Sequence, residues 1–165
     1  MEEKMKKKII IVFLIIGFIF VYIAVKAIID KNHLNTETEE NVIIKNANLE
    51  NISKSKDVVN VYFFWGEGCP HCKEEFAWLE SISKKYKKTF KVYGFEVWYN
   101  ENNYKLLNDF ADKLNQEVEG IPCTIIGEKV FIGFKEASKK EIINAIKDYQ
   151  KKDFDVYINK MSEEN

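Results

Sequence analysis

The sequence predicts an α/β protein with a mixed sheet flanked by helices, preceded by one N-terminal transmembrane helix. Three observations support this expectation. A long apolar segment lies near the N-terminus, strand-like and amphipathic helical segments alternate through residues 58–152, and two short strands with a hairpin-like connection precede the last helix. With 165 residues, the chain is long enough for one domain of about 100–150 residues and an appendage.

The composition excludes some functions and favours others. Lys and Arg total 25 while Asp and Glu total 26, so no basic excess indicates nucleic acid as a partner. Hydrophobic residues make up 46% of the chain, which is enough to fill a packed core. Three cysteines are too few for a disulfide-stapled scaffold. We therefore expect a globular domain whose cysteines carry chemistry.

Residues 9–29 are predicted to form a transmembrane signal-anchor helix. Ile9–Val25 contains only apolar or neutral residues. At about 1.5 Å per residue, residues 9–29 would reach roughly 31 Å, which is about one hydrocarbon core. Lys26 lies near the end of the segment, where its long side chain can reach the lipid headgroups. A cleaved signal peptide is the alternative, although the apolar stretch exceeds the usual length of a signal core.

Charges around this segment predict the topology. Lysines are concentrated in residues 1–8, whereas acidic residues dominate the start of residues 30–57. The positive-inside bias therefore predicts a single-pass protein of the cell membrane, with a cytoplasmic N-terminus and an extracytoplasmic C-terminal domain. Residues 30–57 are polar and are predicted to form a tether, in which Val42–Ile44 favours a short strand. Residues 153–165 are predicted to form a C-terminal tail.

The domain predicted over residues 58–152 begins with alternating strands and helices. Val58–Trp65 is a short β-branched and aromatic run that predicts a buried strand, and Phe90–Tyr99 has similar character. Apolar residues recur every three or four positions in Pro70–Lys88 and in Asn100–Gln116. This spacing predicts two amphipathic helices, each with one face toward the core.

A hairpin and a last helix complete the predicted domain. Cys123–Ile126 and Lys129–Phe134 have strand character, and the two residues between them suit a hairpin turn. Ser138–Glu141 matches a capping box, which predicts the start of the last helix. The order of elements implies a mixed sheet with helices on both faces.

The motif Cys69-Pro70-His71-Cys72 follows the first strand and opens the first helix of the domain. A cysteine in the first helical turn lies near free backbone amides and the positive end of the helix dipole, both of which stabilise a thiolate. Cys72 is predicted one turn later on the same face, where it can close a disulfide with Cys69 and release a bound partner. His71 can add positive charge.

This pattern favours redox chemistry over two alternatives. A structural disulfide across a four-residue loop would constrain very little of the unfolded chain. Cys69, His71 and Cys72 could bind zinc or copper, but the sequence has no second CxxC motif. We therefore expect no metal and no cofactor.

Two separated stretches, YFFWGEGCPHC and GIPCTIIGEKVFIGF, resemble the thioredoxin superfamily. The resemblance covers about residues 58–150 and implies a thiol-disulfide oxidoreductase. It implies that Cys69 is the exposed nucleophile and Cys72 the resolving thiol. It further implies that the Ile121–Pro122 peptide bond is cis and packs beside the disulfide, where both residues would contact substrate.

The dipeptide between the two cysteines is similar to that of the DsbA oxidases, whereas the rest of the domain resembles thioredoxin. The stretch from Cys69 to Ile121 is too short for the helical insertion of the DsbA family. The DsbA-like dipeptide and the positive charge of His71 favour the oxidising direction. The negative charges of Glu67, Glu74 and Glu75 oppose it, although we expect these side chains to be exposed and therefore screened by solvent.

A buried acid is the one feature of the resemblance that the sequence lacks at the usual position. Many thioredoxin-like proteins have a carboxylate six residues before the first cysteine, and that residue here is Phe63. Glu96 is predicted as its replacement, relaying the proton of Cys72 from the second strand. The alternative is a glutamate that faces solvent on an edge strand, because alternation alone does not identify the inner face. Glu67 is a further candidate.

Cys123 directly follows Pro122 and is a candidate third active thiol. The favoured alternative is a small buried hydrophobic residue, which is common for a free cysteine.

The sequence therefore predicts a membrane-tethered, extracytoplasmic oxidoreductase that exchanges disulfides with protein or peptide thiols. Its expected partners also include the membrane, through residues 9–29, and a membrane redox protein. The alternatives are a reductase of extracytoplasmic disulfides and a non-catalytic accessory protein that binds copper or zinc.

Overall fold

The computed structural model describes residues 17–19, 21–23, 25–26, 42–86 and 88–161. The chain divides into two compact units, Met1–Glu40 and Asn41–Asn165. In the first unit, the described residues are helical. Across the described residues, no helix combines the length and the apolar character needed to cross a membrane. Most of the predicted membrane segment, residues 9–29, lies outside the described residues.

The described part of the second unit contains five strands and three α-helices. The strands are β1 (Ile43–Ile44), β2 (Val59–Trp65), β3 (Phe90–Glu96), β4 (Cys123–Ile126) and β5 (Lys129–Ile132). The helices are α1 (Pro70–Lys85), α2 (Glu101–Leu114) and α3 (Glu136–Lys152). A 3-10 turn at Leu49–Asn51 lies between β1 and β2, and a π-helical turn at Tyr157–Met161 follows α3.

The five strands form one mixed sheet in the order β1-β3-β2-β4-β5. The central strand β2 runs parallel to β3 and antiparallel to β4, and all seven of its residues are buried. Trp65 pairs with Glu96, and Phe64 pairs with Cys123. The carboxyl ends of β2 and β3 therefore meet the amino end of β4 at one edge of the sheet. We call this edge the redox edge, since the Cys69–Cys72 pair follows β2 there.

Helices cover both faces of the sheet, as the sequence predicts. On one face, α1 and α3 pack against alternate residues of β2, with Leu79, Ile82, Ile142 and Ile146 at the contact. On the other face, Leu107 and Phe110 of α2 pack against the remaining residues of β2, among them Tyr62 and Phe64. Because β2 is buried from both sides, its sequence is apolar on both faces except at Asn60, instead of alternating.

Several element boundaries differ from those predicted, and two of the differences have a clear local cause. Helix α3 begins at Glu136 and is preceded by Lys135, which makes no side-chain cap, so the capping box predicted at Ser138–Glu141 is wrong. The chain turns out of the hairpin at Gly133, whose φ of +71° suits glycine, and the helix starts soon after this turn. Strand β3 ends at Glu96 instead of Tyr99, because the Glu96 carboxylate accepts hydrogen bonds from the amides that follow it.

Part of the predicted tether belongs to the sheet. Ile43 and Ile44 pair in parallel with Val92 and Tyr93 of β3, so the short strand predicted at Val42–Ile44 is present. The amide of Ala47 also donates to the carbonyl oxygen of Gly94 at 2.9 Å. The folded domain therefore starts well before residue 58, since β1 is the outermost strand of the sheet and pairs with β3.

The segment after α3 is held by a buried hydrogen-bond network. The Tyr62 hydroxyl donates to both carboxylate oxygens of Asp155, at 2.8 and 2.9 Å. The same carboxylate accepts the amide of Ile158 at 2.9 Å. Burial and the adjacent Asp155 raise the pKa of Tyr62, so its hydroxyl stays a donor. The start of the predicted tail, residues 153–165, is thus fixed to the central strand.

Candidate functional site

A disulfide bond joins Cys69 and Cys72 at the N-terminus of α1. Cys69 is the N-cap residue of this helix, and its Sγ accepts the backbone N–H of Cys72 at 3.1 Å. The turn from β2 into the helix passes through Gly68, whose φ of +83° favours glycine. Cys69 is 8% exposed and Cys72 is 3% exposed, so Cys69 is the more accessible residue of the pair.

The surroundings of Cys69 contain opposing charges. On reduction, the amide of Cys72 and the positive end of the α1 dipole would stabilise a thiolate at Cys69. His71 is exposed, and its Nδ1 lies 3.5 Å from a carboxylate oxygen of Glu74. Glu74 therefore offsets part of the positive charge that a protonated His71 would offer to the sulfur.

The peptide bond between Ile121 and Pro122 is cis, as the resemblance implies. Pro122 is buried at the redox edge, immediately before β4, and its carbonyl oxygen accepts the amide of Gly133 at 2.8 Å. Ile121 packs against the apolar core that contains both disulfide cysteines. The structure therefore brings Ile121 and Pro122 to the edge at which the disulfide lies.

The buried acid of the site is Glu75, so the prediction that this side chain is exposed to solvent is wrong. Glu75 is 1% exposed and lies on α1 one turn after Cys72, so the two Cβ atoms are about 5–6 Å apart. The Thr124 hydroxyl donates to Oε1 of Glu75 at 2.6 Å. Burial raises the Glu75 pKa to about 7, although the hydrogen bond from Thr124 acts in the opposite direction.

A signal for Glu75 was present in the sequence. It is three residues after Cys72 and four before Leu79, so it lies on the buried stripe of the helix. Thr124 is the β-sheet partner of Phe63, the position at which the resemblance implies an acid. The helix therefore delivers a carboxylate to the part of the core beside Phe63, where the strand would otherwise have supplied it.

Glu96 has a role that neither sequence hypothesis described. Its Oε1 accepts the amides of Glu67 and Trp98 at 3.2 and 3.0 Å, and its Oε2 accepts the amide of Tyr99 at 2.9 Å. The side chain is half-buried at the end of β3. Glu96 thus joins the turn before Cys69 to the loop after β3, and its oxygens are occupied by backbone amides. Glu67 takes part in this network through its amide, while its side chain is exposed.

Cys123 lies on the opposite face of the sheet from the disulfide. It is fully buried with Tyr62, Phe64 and residues of α2, whereas Cys69 and Cys72 belong to the core on the α1 and α3 face. Burial, together with the nearby Glu75, raises the Cys123 pKa to about 12. This placement suits a small hydrophobic residue and gives no support to a third active thiol.

No group of three or more His, Cys, Asp or Glu side chains in the described part of the chain is arranged to hold a metal ion. The two cysteines of the alternative zinc or copper site are joined in the disulfide, and His71 faces Glu74. The geometry of the described residues therefore offers no observation in favour of a metal centre.

No protein-family model and no curated protein matches the sequence. Among solved structures, a thioredoxin-like protein from Clostridium perfringens is 21% identical, with a TM-score of 0.44, over 67% of this chain and 85% of that chain. Chloroplastic thioredoxin z is 22% identical, with a TM-score of 0.47, over 64% of this chain and 93% of that chain. A glutaredoxin from Archaeoglobus fulgidus is 24% identical, with a TM-score of 0.37, over 59% and 96% respectively. These likenesses are distant and do not bear on the chemistry of the site.

The raised pKa of Glu75 predicts a pH-dependent effect of Glu75→Gln on stability. Because the folded state holds this proton more tightly than the unfolded state, the stabilisation is present below about pH 4.5 and is lost as pH rises through about 7. The free energy of unfolding of the variant minus that of the wild type should therefore increase with rising pH, by up to about 3 kcal/mol. Urea unfolding of the oxidised full-length proteins at pH 4.5, 6 and 8 measures the difference.

Glu74→Gln is the matched control, since Glu74 is the preceding residue and is exposed. Its difference from the wild type should change much less over the same pH range. A Glu75→Gln difference that stays constant from pH 4.5 to pH 8 would contradict a raised pKa at Glu75.

Proposed function

We propose that this protein is a thiol-disulfide oxidoreductase that exchanges the Cys69–Cys72 disulfide with thiols of other proteins or peptides. The observation that supports this most directly is the disulfide at the N-terminus of α1, with the buried acid Glu75 one helical turn after Cys72. A staple between residues three apart adds little stability. A buried carboxyl group with a raised pKa also lowers stability at neutral pH, so the pair fits a reaction better than a scaffold.

The proposed reaction transfers two electrons in two exchange steps. A substrate thiolate attacks Sγ of Cys69, the Cys69–Cys72 bond breaks, and Cys72 leaves as a thiolate. A second substrate thiolate then attacks the substrate sulfur of the mixed disulfide and releases Cys69 as a thiolate. The substrate dithiol has become a disulfide, and the protein disulfide has become a dithiol. A second disulfide compound reoxidises the protein by the same steps in reverse.

Glu75 is proposed to donate a proton to Cys72 and to accept one from it. With a pKa of about 7, the carboxyl group is protonated in a substantial fraction of molecules at neutral pH. A proton at this position can pass to the Cys72 thiolate as it leaves, and can return to Glu75 when Cys72 attacks. Thr124 holds the carboxyl group in place through its hydroxyl group. Glu75 thus takes the part that the sequence analysis assigned to Glu96.

The exchange reaction is expected to depend on Cys69. Replacing Cys69 with Ser removes the attacked sulfur, so disulfide exchange by the full-length protein should fall by about a hundredfold or more. The rate of exchange with a dithiol peptide, followed by acid quenching and chromatography, measures this loss. Cys123→Ala is the matched control, because that thiol lies on the other sheet face. A Cys69→Ser protein with wild-type exchange would refute the proposed reaction.

The oxidising direction is the second part of the proposal. Stabilising the Cys69 thiolate favours the reduced protein, which makes the disulfide a stronger oxidant. We therefore expect a reduction potential above that of thioredoxin, which is roughly −270 mV. Equilibration of the full-length protein with glutathione redox buffers measures it. His71→Ala should lower the potential, and Glu74→Gln should raise it, because a protonated His71 would favour the Cys69 thiolate whereas the Glu74 carboxylate, 3.5 Å from His71, opposes it. A potential at or below about −250 mV would identify a reductase instead.

The cellular location is proposed from the sequence alone. Residues 9–29 would anchor the protein, and the lysines before them would keep the N-terminus in the cytoplasm. A reporter fused after Asn165 should then be active only outside the cytoplasm, and an impermeant thiol reagent should label reduced Cys69 in intact cells. A cytoplasmic signal from the reporter would overturn this location and, with it, the expected substrates outside the cell membrane.

A further inference from the structure

A lysine from the predicted tether contacts the apolar core of the proposed redox site. Lys45 follows β1 and is exposed, and its Nζ lies 4.7 Å from the centre of the Trp65 ring and 5.8 Å from the centre of the Phe76 ring. Trp65 belongs to the core that contains Cys69 and Cys72, and Phe76 packs against that core. Aromatic ring faces attract a cation. The ammonium group of Lys45 is therefore held where this core meets the solvent.

The backbone of the same residue also contacts Trp65. The indole Nε1 of Trp65 donates a hydrogen bond to the carbonyl oxygen of Lys45 at 3.2 Å. Gly94 of β3 makes this arrangement possible, because a Cβ atom at that position would lie 2.6 Å from the same carbonyl oxygen. Trp65 is the last residue of β2, and the turn to Cys69 follows it. Residue 45 therefore helps to hold the end of the strand from which the redox turn starts.

The charges around Cys69 give this ammonium group a chemical role. A thiolate at Cys69 would lie beside an apolar core, where charges are screened less than in water. The α1 dipole stabilises that thiolate, but Glu74 offsets part of the positive charge that His71 would offer. Lys45 adds positive charge from a different part of the chain, against two rings of the same core. Because the disulfide is uncharged, this charge favours the reduced form, in which a thiolate can exist.

We propose that Lys45 is a positioning residue of the redox site, which holds Trp65 beside the Cys69–Cys72 pair and whose positive charge raises the reduction potential of that pair. This inference rests on the proposed function, because it names a residue that sets the equilibrium of the same reaction. Lys45 does not enter the exchange steps. It lies within residues 30–57, so the segment predicted as a tether also contributes to the redox site.

The test measures the equilibrium of the full-length protein with glutathione. Two glutathione thiols reduce the Cys69–Cys72 bond and become one glutathione disulfide, and their two protons pass to the cysteine sulfurs or, where Cys69 ionises, to the solvent. Lys45→Met keeps an apolar side chain over the rings without the charge, so the equilibrium constant for reduction should fall about threefold, which is about 14 mV. Lys45→Arg should keep the wild-type value, because arginine retains the charge and packs on aromatic rings.

Salt and a matched lysine separate the effect of charge from that of packing. Because salt screens an exposed charge, the difference between the wild type and Lys45→Met should shrink between about 0.05 M and about 1 M salt. Lys152→Met is the matched control, since Nζ of Lys152 lies 4.8 Å from the centre of the Tyr149 ring. The Tyr149 hydroxyl accepts the amide of Glu128, at the end of β4 away from Pro122. Lys152→Met should therefore keep the wild-type equilibrium constant.

Four results would overturn the inference about Lys45 alone. They are an unchanged equilibrium constant in Lys45→Met, an equal loss in Lys45→Arg, an equal loss in Lys152→Met, and a difference that salt does not reduce. If Lys45→Met does not fold, Lys45→Gln replaces it and is judged by the same results. If the wild type itself does not exchange with glutathione, the proposed function fails and this inference fails with it.

Discussion

The pairing of β2 with β3 on one side and β4 on the other determines where every part of the site lies. Because β2 and β3 are parallel and β4 is antiparallel, two carboxyl ends and one amino end meet at the redox edge. Cys69 follows β2, the Glu96 loop follows β3, and Pro122 precedes β4. Three distant stretches of sequence therefore converge without a long loop. Burial of β2 on both faces fixes this arrangement, since a shift of its register would disrupt both cores.

The Glu75–Thr124 hydrogen bond connects α1 to β4, the strand that follows Pro122. A buried carboxylate is costly when ionised, so Glu75 keeps its proton to a higher pH than an exposed glutamate does. This cost is acceptable in a protein whose proposed reaction needs a proton donor beside Cys72 at neutral pH. The acid comes from a helix and not from the strand, yet its partner Thr124 pairs directly with Phe63. Either helix α1 or strand β2 can therefore supply a carboxyl group to the part of the core beside Phe63.

Glu96 shows how a polar side chain can organise a site without taking part in its chemistry. Its carboxylate accepts three backbone amides, and these tie the turn before Cys69 to the loop that presents Trp98. Charge-assisted hydrogen bonds of this kind are strong and directional. The turn that precedes Cys69 therefore depends on this anchor.

The sequence by itself determined the class of fold, most helix and strand positions, and the redox motif. These follow from local patterns, such as the mainly apolar run of β2 and the spacing of Cys69 and Cys72, which residues close together in the sequence determine. Only the tertiary structure decided which acid is buried, which face Cys123 occupies, and where the chain before β2 packs. Glu96 lies among apolar residues of its strand, whereas Glu75 follows two charged residues and shares only the helical spacing of Cys72 and Leu79, so neither local pattern shows which carboxylate the core encloses. That choice depends on partners distant in sequence, namely Thr124 for Glu75 and the amide of Glu67 for Glu96.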